Sequence, residues 1–409
     1  VLNTAQELVG AMAHILNKPI IDPEKNVVIE GYGIMQPRVG INLDISLKTI
    51  FTKIFAGAGG IDNYTNAISD IYQDNFKEGI FTGKGIYDLR VFSKVLSKEI
   101  PENTVLSHDL LEGCYLRCGL VSDIVLMDGY QTKYTSFTNR LSRWIRGDWQ
   151  ITKWIKNKKL NLLSKYKIID NLRRSLLEIS IIIALIYITI LGNIYKIKAN
   201  GFFIFILLTC IISQLLELIN KSISKKDGEQ RQKTFTPQIS GIKGILIRAI
   251  ITIGCLPYKA YISAKSIIKT IYRKTITKKH MLEWLTSEEA EKQSKTDLLS
   301  YYKQMLINVV IGIIAIISNI SIYEILLGIL WIIIPFIMCE ISKEIKRKTP
   351  IETINKENKE YLLNIAKTTW QFFETYLNEK HNYLIPDNYQ EGRKQKVVSR
   401  TSSTNIGLS

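Results

Sequence analysis

Apolar positions are spread unevenly along this chain. Through residues 176 to 340 they gather into long Ile/Leu runs broken by Lys-rich stretches, whereas residues 1 to 150 mix Gly, Asp and aromatic positions in the manner of an enzyme. Four apolar segments, Ile179 to Tyr195, Gly201 to Leu216, Met305 to Tyr323 and Ile325 to Cys339, lie near the lower end of the ~17 to 25 residues that a membrane helix requires. The first two are separated by a short turn containing Lys196 and Lys198, and the last two only around Glu324, so the pattern predicts two helical hairpins. A fifth run, Ala249 to Tyr258, is too short and contains Pro257. With Lys243, Arg248, Lys259, Lys265 and Lys269 around it, it predicts an amphipathic segment lying in the membrane interface.

Ahead of the membrane region the period alternates. Residues 1 to 16 suit an amphipathic helix, ended at Asn17-Lys18-Pro19 because the residue before a proline avoids helical angles. Short strands are expected at Val27 to Glu30 and Ile34 to Gln36, around Gly31 and Gly33. Ser46 to Phe55 carries helical spacing and is followed by a flexible Gly57-Ala58-Gly59-Gly60 loop; Ile80 to Thr82 reads as a strand, and Leu110 to Cys118 as a helix beginning at Asp109. Tyr361 to Phe373 is again helical and leads to Pro386-Asp387-Asn388. The resulting division is an α/β part over 1–160, a membrane region over 175–341 and the start of another helical unit over 351–409.

Charge adds a topology. Across 409 residues, 54 Lys and Arg stand against 37 Asp and Glu, a formal net charge of +17. They cluster beside apolar spans and form no recognisable nucleic-acid module, so a bilayer and not a nucleic acid is the expected partner. Between Arg140 and Arg174 eleven Lys or Arg face only Asp148 and Asp170, and the stretches Lys221 to Lys279 and Lys343 to Lys348 are also basic. These flanks belong on the cytoplasmic side, and an even number of spans places the N-terminal part and the C-terminal tail there together. The five cysteines are expected to be reduced thiols: Cys114 and Cys118 are four apart, a helical spacing and not that of a metal knuckle. The opening, Val1-Leu2-Asn3-Thr4, starts as if in mid-helix, so the chain reads as an internal piece of a longer protein.

Candidate chemistry lies in two runs. Ser107-His108-Asp109-Leu110-Leu111-Glu112-Gly113 sets an acidic residue on a polar turn, where it can take a proton from a hydroxyl. About thirty residues on, Arg140 to Gln150 supplies Arg143, able to neutralise phosphate charge, and Trp144, a flat face for a sugar ring. Plainer roles exist for each. Asp109 also fits a helix N-cap, Glu112 a capping box, His108 a turn, and an Arg-Trp pair before a span an interface anchor.

The pairing resembles membrane family-2-type glycosyltransferases, whose signature ends with a (Thr/Ser)-X-Asp motif and a Gln-X-X-Arg-Trp motif. Arg143 and Trp144 match the second directly, but Arg140 stands where that family has Gln, so the glutamine's acceptor contact does not carry over. Gly31 to Val39, Tyr64 to Asp70, Gly83 to Asp88, Arg143 to Gln150, Asp170 to Ser175, Pro386 to Glu391 and Arg400 to Leu408 are similar, in order, to phrases of cyclic β-1,2-glucan synthases. That resemblance implies a GT-A-like α/β fold without its N-terminal half, then a transmembrane helical region and the start of a glycoamylase-like α/α domain, associated with ring closure. It implies an inverting glucosyltransferase of the bacterial inner membrane, using UDP-glucose as donor and a glucan as acceptor, with Asp109 as base.

The same resemblance makes Gly83, Lys84, Gly85 and Tyr87 an acceptor-side loop, puts Gln36 near the donor, and includes Arg146 and Asp148 in the substrate phrase without individual roles. A divalent cation, Mg or Mn, is expected through an upstream Asp-X-Asp motif that this chain lacks; Asp62, Asp70 and Asp74 are wrongly spaced for it. The alternatives are a processive synthase of another glycan and a non-catalytic membrane scaffold.

Overall fold

The computed structural model describes residues 3–56, 71–196, 199–223, 239, 241–318, 320–345, 355–394 and 396–408. The Gly57 to Gly60 loop, the Tyr64 to Asp70 phrase, Asp62, Lys198 and parts of the basic stretches after Lys221 and Lys343 lie outside them. The chain divides into two compact units, Val1–Ile345 and Lys346–Ser409, and the described residues are mostly helical with a few small sheets.

The first unit opens with α1 (Thr4–Ala13), a 3-10 turn, and the antiparallel pair β1 (Ile20–Ile21) and β2 (Val28–Glu30). Then come β3 (Ile34–Ile41), α2 (Leu43–Ser46), α3 (Ile50–Phe55), α4 (Ile71–Phe76), β4 (Ile86–Tyr87), α5 (Leu89–Leu96), α6 (Asp109–Leu116) and β5 (Cys118–Asp128). These strands form one mixed sheet in the order β4-β3-β5, with β3 antiparallel to β4 and parallel to β5. The expected strand at Ile34 therefore continues past Pro37. Its register with β5 slips there, Pro37 facing Val121 but Arg38 facing Val125, because proline has no N–H to donate and the ladder must skip it. The helix before β5 stops at Leu116, where Arg117 turns the chain at φ 54° and donates to Ile29 O. Ile80 to Thr82 is not a strand; Gln36, fully buried, holds it by accepting from Thr82 N at 3.0 Å and Thr82 Oγ1 at 3.1 Å.

Next, α7 (Tyr134–Gln150) passes through a 3-10 turn into α8 (Leu162–Tyr195), whose N-cap Asn161 accepts from Ser164 N at 2.7 Å. At 34 residues α8 carries the chain unbroken from the enzyme-like part into the apolar region. Its root is fixed by Lys167, 4% exposed, which donates to Glu78 at 2.8 Å and Gly79 O at 3.1 Å. Further along, Ile183, Ile186, Tyr187 and Ile190 are exposed, an outward apolar face suited to lipid.

The remaining helices of this unit are α9 (Asn200–Ile223), α10 (Gly241–Gly254), α11 (Leu256–Tyr272), α12 (Ser287–Gln293), α13 (Leu298–Gln304), α14 (Leu306–Ser318) and α15 (Ile322–Ile341). Among the described residues α8 and α15 are long and apolar enough to cross a membrane; there are up to four such spans if the bent pairs α10/α11 (55°) and α13/α14 (69°) each count as one. Two expectations change. The third apolar segment bends at Met305, and its turn into the fourth comes before Ile322, which leaves Glu324 buried in the first turn of α15, accepting from Thr189 Oγ1 at 2.7 Å. The Ala249 to Tyr258 run is not one continuous helix. It contains the α10/α11 break, with Cys255 and Leu256 buried, because Pro257 fits the first turn of a new helix but not the middle of an old one. The break frees carbonyls that a bilayer could not solvate; Trp331 Nε1 donates to Ile253 O at 3.0 Å and Asn308 Nδ2 to Gly254 O at 2.7 Å. Beside it, α14 and α15 meet backbone to backbone at Gly312 and Gly328, where a Cβ on either would lie under 3 Å from the other's carbonyl oxygen.

The second unit has α16 (Lys356–Tyr376), the short antiparallel pair β6 (Asn388–Tyr389) and β7 (Val397–Val398), and α17 (Ser403–Leu408). Its two family-like phrases meet at Asp387, whose N–H donates to Arg400 O at 2.7 Å and whose carboxylate accepts from Asn405 Nδ2 at 3.3 Å.

Candidate active site

Three glycines bring the Gly83 loop, β3 and the two motif runs together. Gly83 sits at φ 87°, and a Cβ there would lie 2.8 Å from Asp109 Oδ1, so the loop backbone presses on the carboxylate. Gly85 lies on Met35 O of β3, and Gly147 of α7 lies on Ser107, each closer than a side chain would allow. Gln150 completes the joint by accepting from Leu106 N at 2.6 Å. The turn carrying Asp109 is thereby clamped between the Gly83 loop and the C-terminal half of α7.

Asp109 is the first residue of α6, and it is not a cap. The N-cap is His108, which makes no side-chain capping bond, and the Asp109 carboxylate accepts from Ser107 Oγ at 3.4 Å. Glu112 forms no capping box; it takes a hydrogen bond from His108 Nδ1 at 2.6 Å, which raises the histidine's affinity for its proton. Burial pushes the Asp109 carboxyl above the usual carboxylate range, and the Glu112 charge adds to the rise while His108 and Arg143 oppose it. A carboxylate so placed is a stronger base than a solvated one.

Asp109 lines a cavity of about 580 Å³ together with Trp144, Asp148, Asn171 and Arg174. Trp144 carries the Arg140 guanidinium over its ring at 4.6 Å. Arg143 stacks on Trp284 at 4.7 Å, and Arg146 donates to Glu283 O at 2.7 Å and Met281 O at 3.3 Å. Gln150 Nε2 also reaches Met281 O at 3.0 Å, so the segment after α11 is strapped across this face of α7. Burial pushes the Asp148 carboxyl up to about 6, though Asn171 Nδ2 donates to it at 2.9 Å.

Other expected site residues stand elsewhere. Lys84 pairs with Asp128, its proton affinity lowered by burial and by Arg140. Tyr87, half exposed on β4, stacks on Phe92 at 4.6 Å, and the polar atoms of Gln36 are committed to Thr82 and Pro37. For a cation, His108, Asp109 and Glu112 bring one ligating atom each within 4.8 Å of one another. They do not fit Mg or Mn as they stand, since His108 and Glu112 are spent on each other and would have to part; the chemistry below does not pass through a metal.

No family model matches the chain. Over 413 aligned residues it is 32% identical to the cyclic beta-(1,2)-glucan synthase NdvB of Rhizobium meliloti (strain 1021), an alignment that takes in 98% of this chain. The chain belongs to the cyclic β-(1,2)-glucan synthase family. It spans 14% of that relative's length. Within the family frame, the Gly83 loop, the Asp109 turn and the Arg143-Trp144 pair are contiguous in space although dispersed in sequence. Trp284 was not among the residues singled out in the sequence. Its signal was slight, an aromatic in a short apolar run, Met281 to Leu285, within a basic stretch.

Proposed function

We propose that the chain carries the acceptor-side half of an inverting, membrane-bound glucosyltransferase site that moves glucose from UDP-glucose to the 2-hydroxyl of a growing β-1,2-glucan. The observation that carries the reading is Asp109: a carboxylate made more basic by burial, on the wall of a cavity it shares with a tryptophan, in a turn clamped on both sides. In the proposed step Asp109 takes the acceptor hydroxyl's proton as that oxygen attacks the anomeric carbon. The bond from this carbon to the diphosphate oxygen breaks, its electron pair leaves with UDP, and configuration inverts. Arg143 offsets charge developing on the leaving diphosphate, and Trp144 offers its face to the acceptor ring. A divalent cation, Mg or Mn, would be held by an Asp-X-Asp motif that this chain lacks and would offset diphosphate charge there, apart from the proton transfer to Asp109. The basic flanks favour a cytoplasmic position at the inner membrane for this half of the site and for the C-terminal tail, where nucleotide sugars are made. Residues 351–409 begin the glycoamylase-like domain.

Membranes expressing the chain within its complete gene test the reading, with labelled UDP-glucose as donor. Asp109→Asn is expected to lower β-1,2-glucan synthesis by about 10²- to 10⁴-fold at an unchanged KM for UDP-glucose. Undiminished synthesis would remove Asp109 from the chemistry. Label in another glycan would favour a different synthase, and no transfer at all a scaffold.

A further inference from the structure

The phrase Asp170 to Ser175 has no part in the step above, yet it forms a wall of the same cavity. From α7, Leu141, Trp144, Ile145 and Asp148 share one face by their spacing of three and four residues. From α8, the lining runs in the same spacing from Lys167 to Glu178 and includes Asp170, Asn171, Arg174 and Ser175. The cavity is therefore a groove between two helices, extending along α8 for about 16 Å at 1.5 Å per residue and ending where the apolar span begins. Its two walls are stitched together: Asn171 Nδ2 donates to Asp148 Oδ1 at 2.9 Å, and Trp149 Nε1 to Ser175 Oγ at 3.0 Å. Arg174, its side chain 46% exposed, pairs with Asp170 at 3.3 Å.

The lining selects a class of ligand. Along α8 the carboxylates Asp170 and Glu178 flank Asn171 and Arg174, with Asp148 on the facing wall; Lys167 is held by Glu78, and Arg174 by Asp170 and Asn171. Carboxylates outnumber the cations that remain, so a phosphate or nucleic-acid strand would meet repulsion. A neutral polyol meets alternating acceptors and donors along one edge, and Trp144, Phe81 and Tyr72 offer rings for its C–H faces. We infer that the α7/α8 groove is an extended subsite for the acceptor glucan, in which Asp148, Asn171 and Arg174 hold sugar units behind the one presented to Asp109. This rests on the transferase reading for its direction, but not for its chemistry. The upward shift of Asp148 agrees with it, since a partly protonated carboxyl both donates to and accepts from hydroxyls.

The test is direct binding of β-1,2-linked gluco-oligosaccharides, from glucose to a pentasaccharide, to the complete protein in nanodiscs, read by tryptophan fluorescence. Affinity is expected to rise with oligosaccharide length. Arg174→Gln, which loses a charged hydrogen bond, and Leu141→Trp, which fills the groove from the opposite wall without touching the Arg174 network, should each weaken the pentasaccharide by about ten-fold and leave glucose unchanged. Affinity independent of length, or both variants binding the pentasaccharide as the wild type does, overturns the assignment. If transfer depends on Asp109 while binding ignores both variants, the subsite alone falls. If no transfer occurs but length-dependent binding persists and both variants weaken it, the groove stands as a saccharide site and the transferase reading falls.

Discussion

Asp109 and Asp148 are both raised by burial, and the rise serves them differently. In Asp109 it strengthens a base that faces a cavity. In Asp148 it is a cost borne at neutral pH. With an ordinary value of 3.8 and a folded value of about 6, the native protein holds this proton where the unfolded chain has lost it. Between about pH 4 and pH 6, then, the stability that Asp148 contributes is present at the acid end and is lost as pH rises through the folded value. Asp148→Asn removes the dependence. Thermal unfolding in detergent should show the variant more stable than the wild type at pH 7, with the gap closing toward pH 4; parallel curves would sink the idea. What is legible in sequence is chemistry that is local, such as an acid on a polar turn and a tryptophan one turn from Asp148, and the structure brings Asp109, Trp144 and Asp148 to one cavity. The partners of Gln36 are not legible locally, because they are set by whichever segment the fold lays beside it, here Thr82, 46 positions away. Nothing in the local sequence around Arg143 names Trp284 as its partner, for the same reason.

At the scale of elements, helices that carry their own signals were legible. Asp109 and Leu110 opened α6 as expected, and the apolar runs at Ile179, Gly201 and Ile325 fall within α8, α9 and α15. The strand β5 was not seen, because Leu110 to Cys118 reads as continuously helical until Arg117 adopts a left-handed angle held by a carbonyl 88 residues away. The α10/α11 break was not legible for a related reason. A short apolar run with a proline looks too weak to be interior unless something supplies donors to the freed carbonyls, and those donors come from Asn308 and Trp331. Asn308→Leu keeps the volume and deletes the donor to Gly254 O, leaving a buried carbonyl unpaired at an expected loss of about 1–3 kcal/mol. A lowered thermal midpoint in detergent with helix content unchanged at low temperature would support this; an unshifted midpoint would mean that water or another group reaches that carbonyl.

At the scale of the molecule, the line drawn from composition between the enzyme-like part and the membrane part does not divide the packing. Phe51 of α3 and Tyr134 of α7 share a core with Ile251, Tyr258, Ile262 and Met338 of the apolar helices. Residues 1–345 should therefore unfold as one cooperative body. Phe51→Ala, which empties a site 1% exposed, is expected to cost about 3–5 kcal/mol and to lower by the same amount the midpoints reported by Trp154 in the soluble core and Trp331 among the apolar helices. Separate transitions would contradict a shared core. The same continuity has a mechanical side in α8, which is about 51 Å long at 1.5 Å per residue, far beyond the ~30 Å hydrocarbon slab, and is capped, pinned by Lys167 at its root and uninterrupted to Tyr195. A rod of this kind joins an arm suited to lipid to an arm that is one wall of the groove, so if a thicker or thinner bilayer tilts the far arm the near arm tilts with it, and bilayer thickness becomes a setting on the width of the groove.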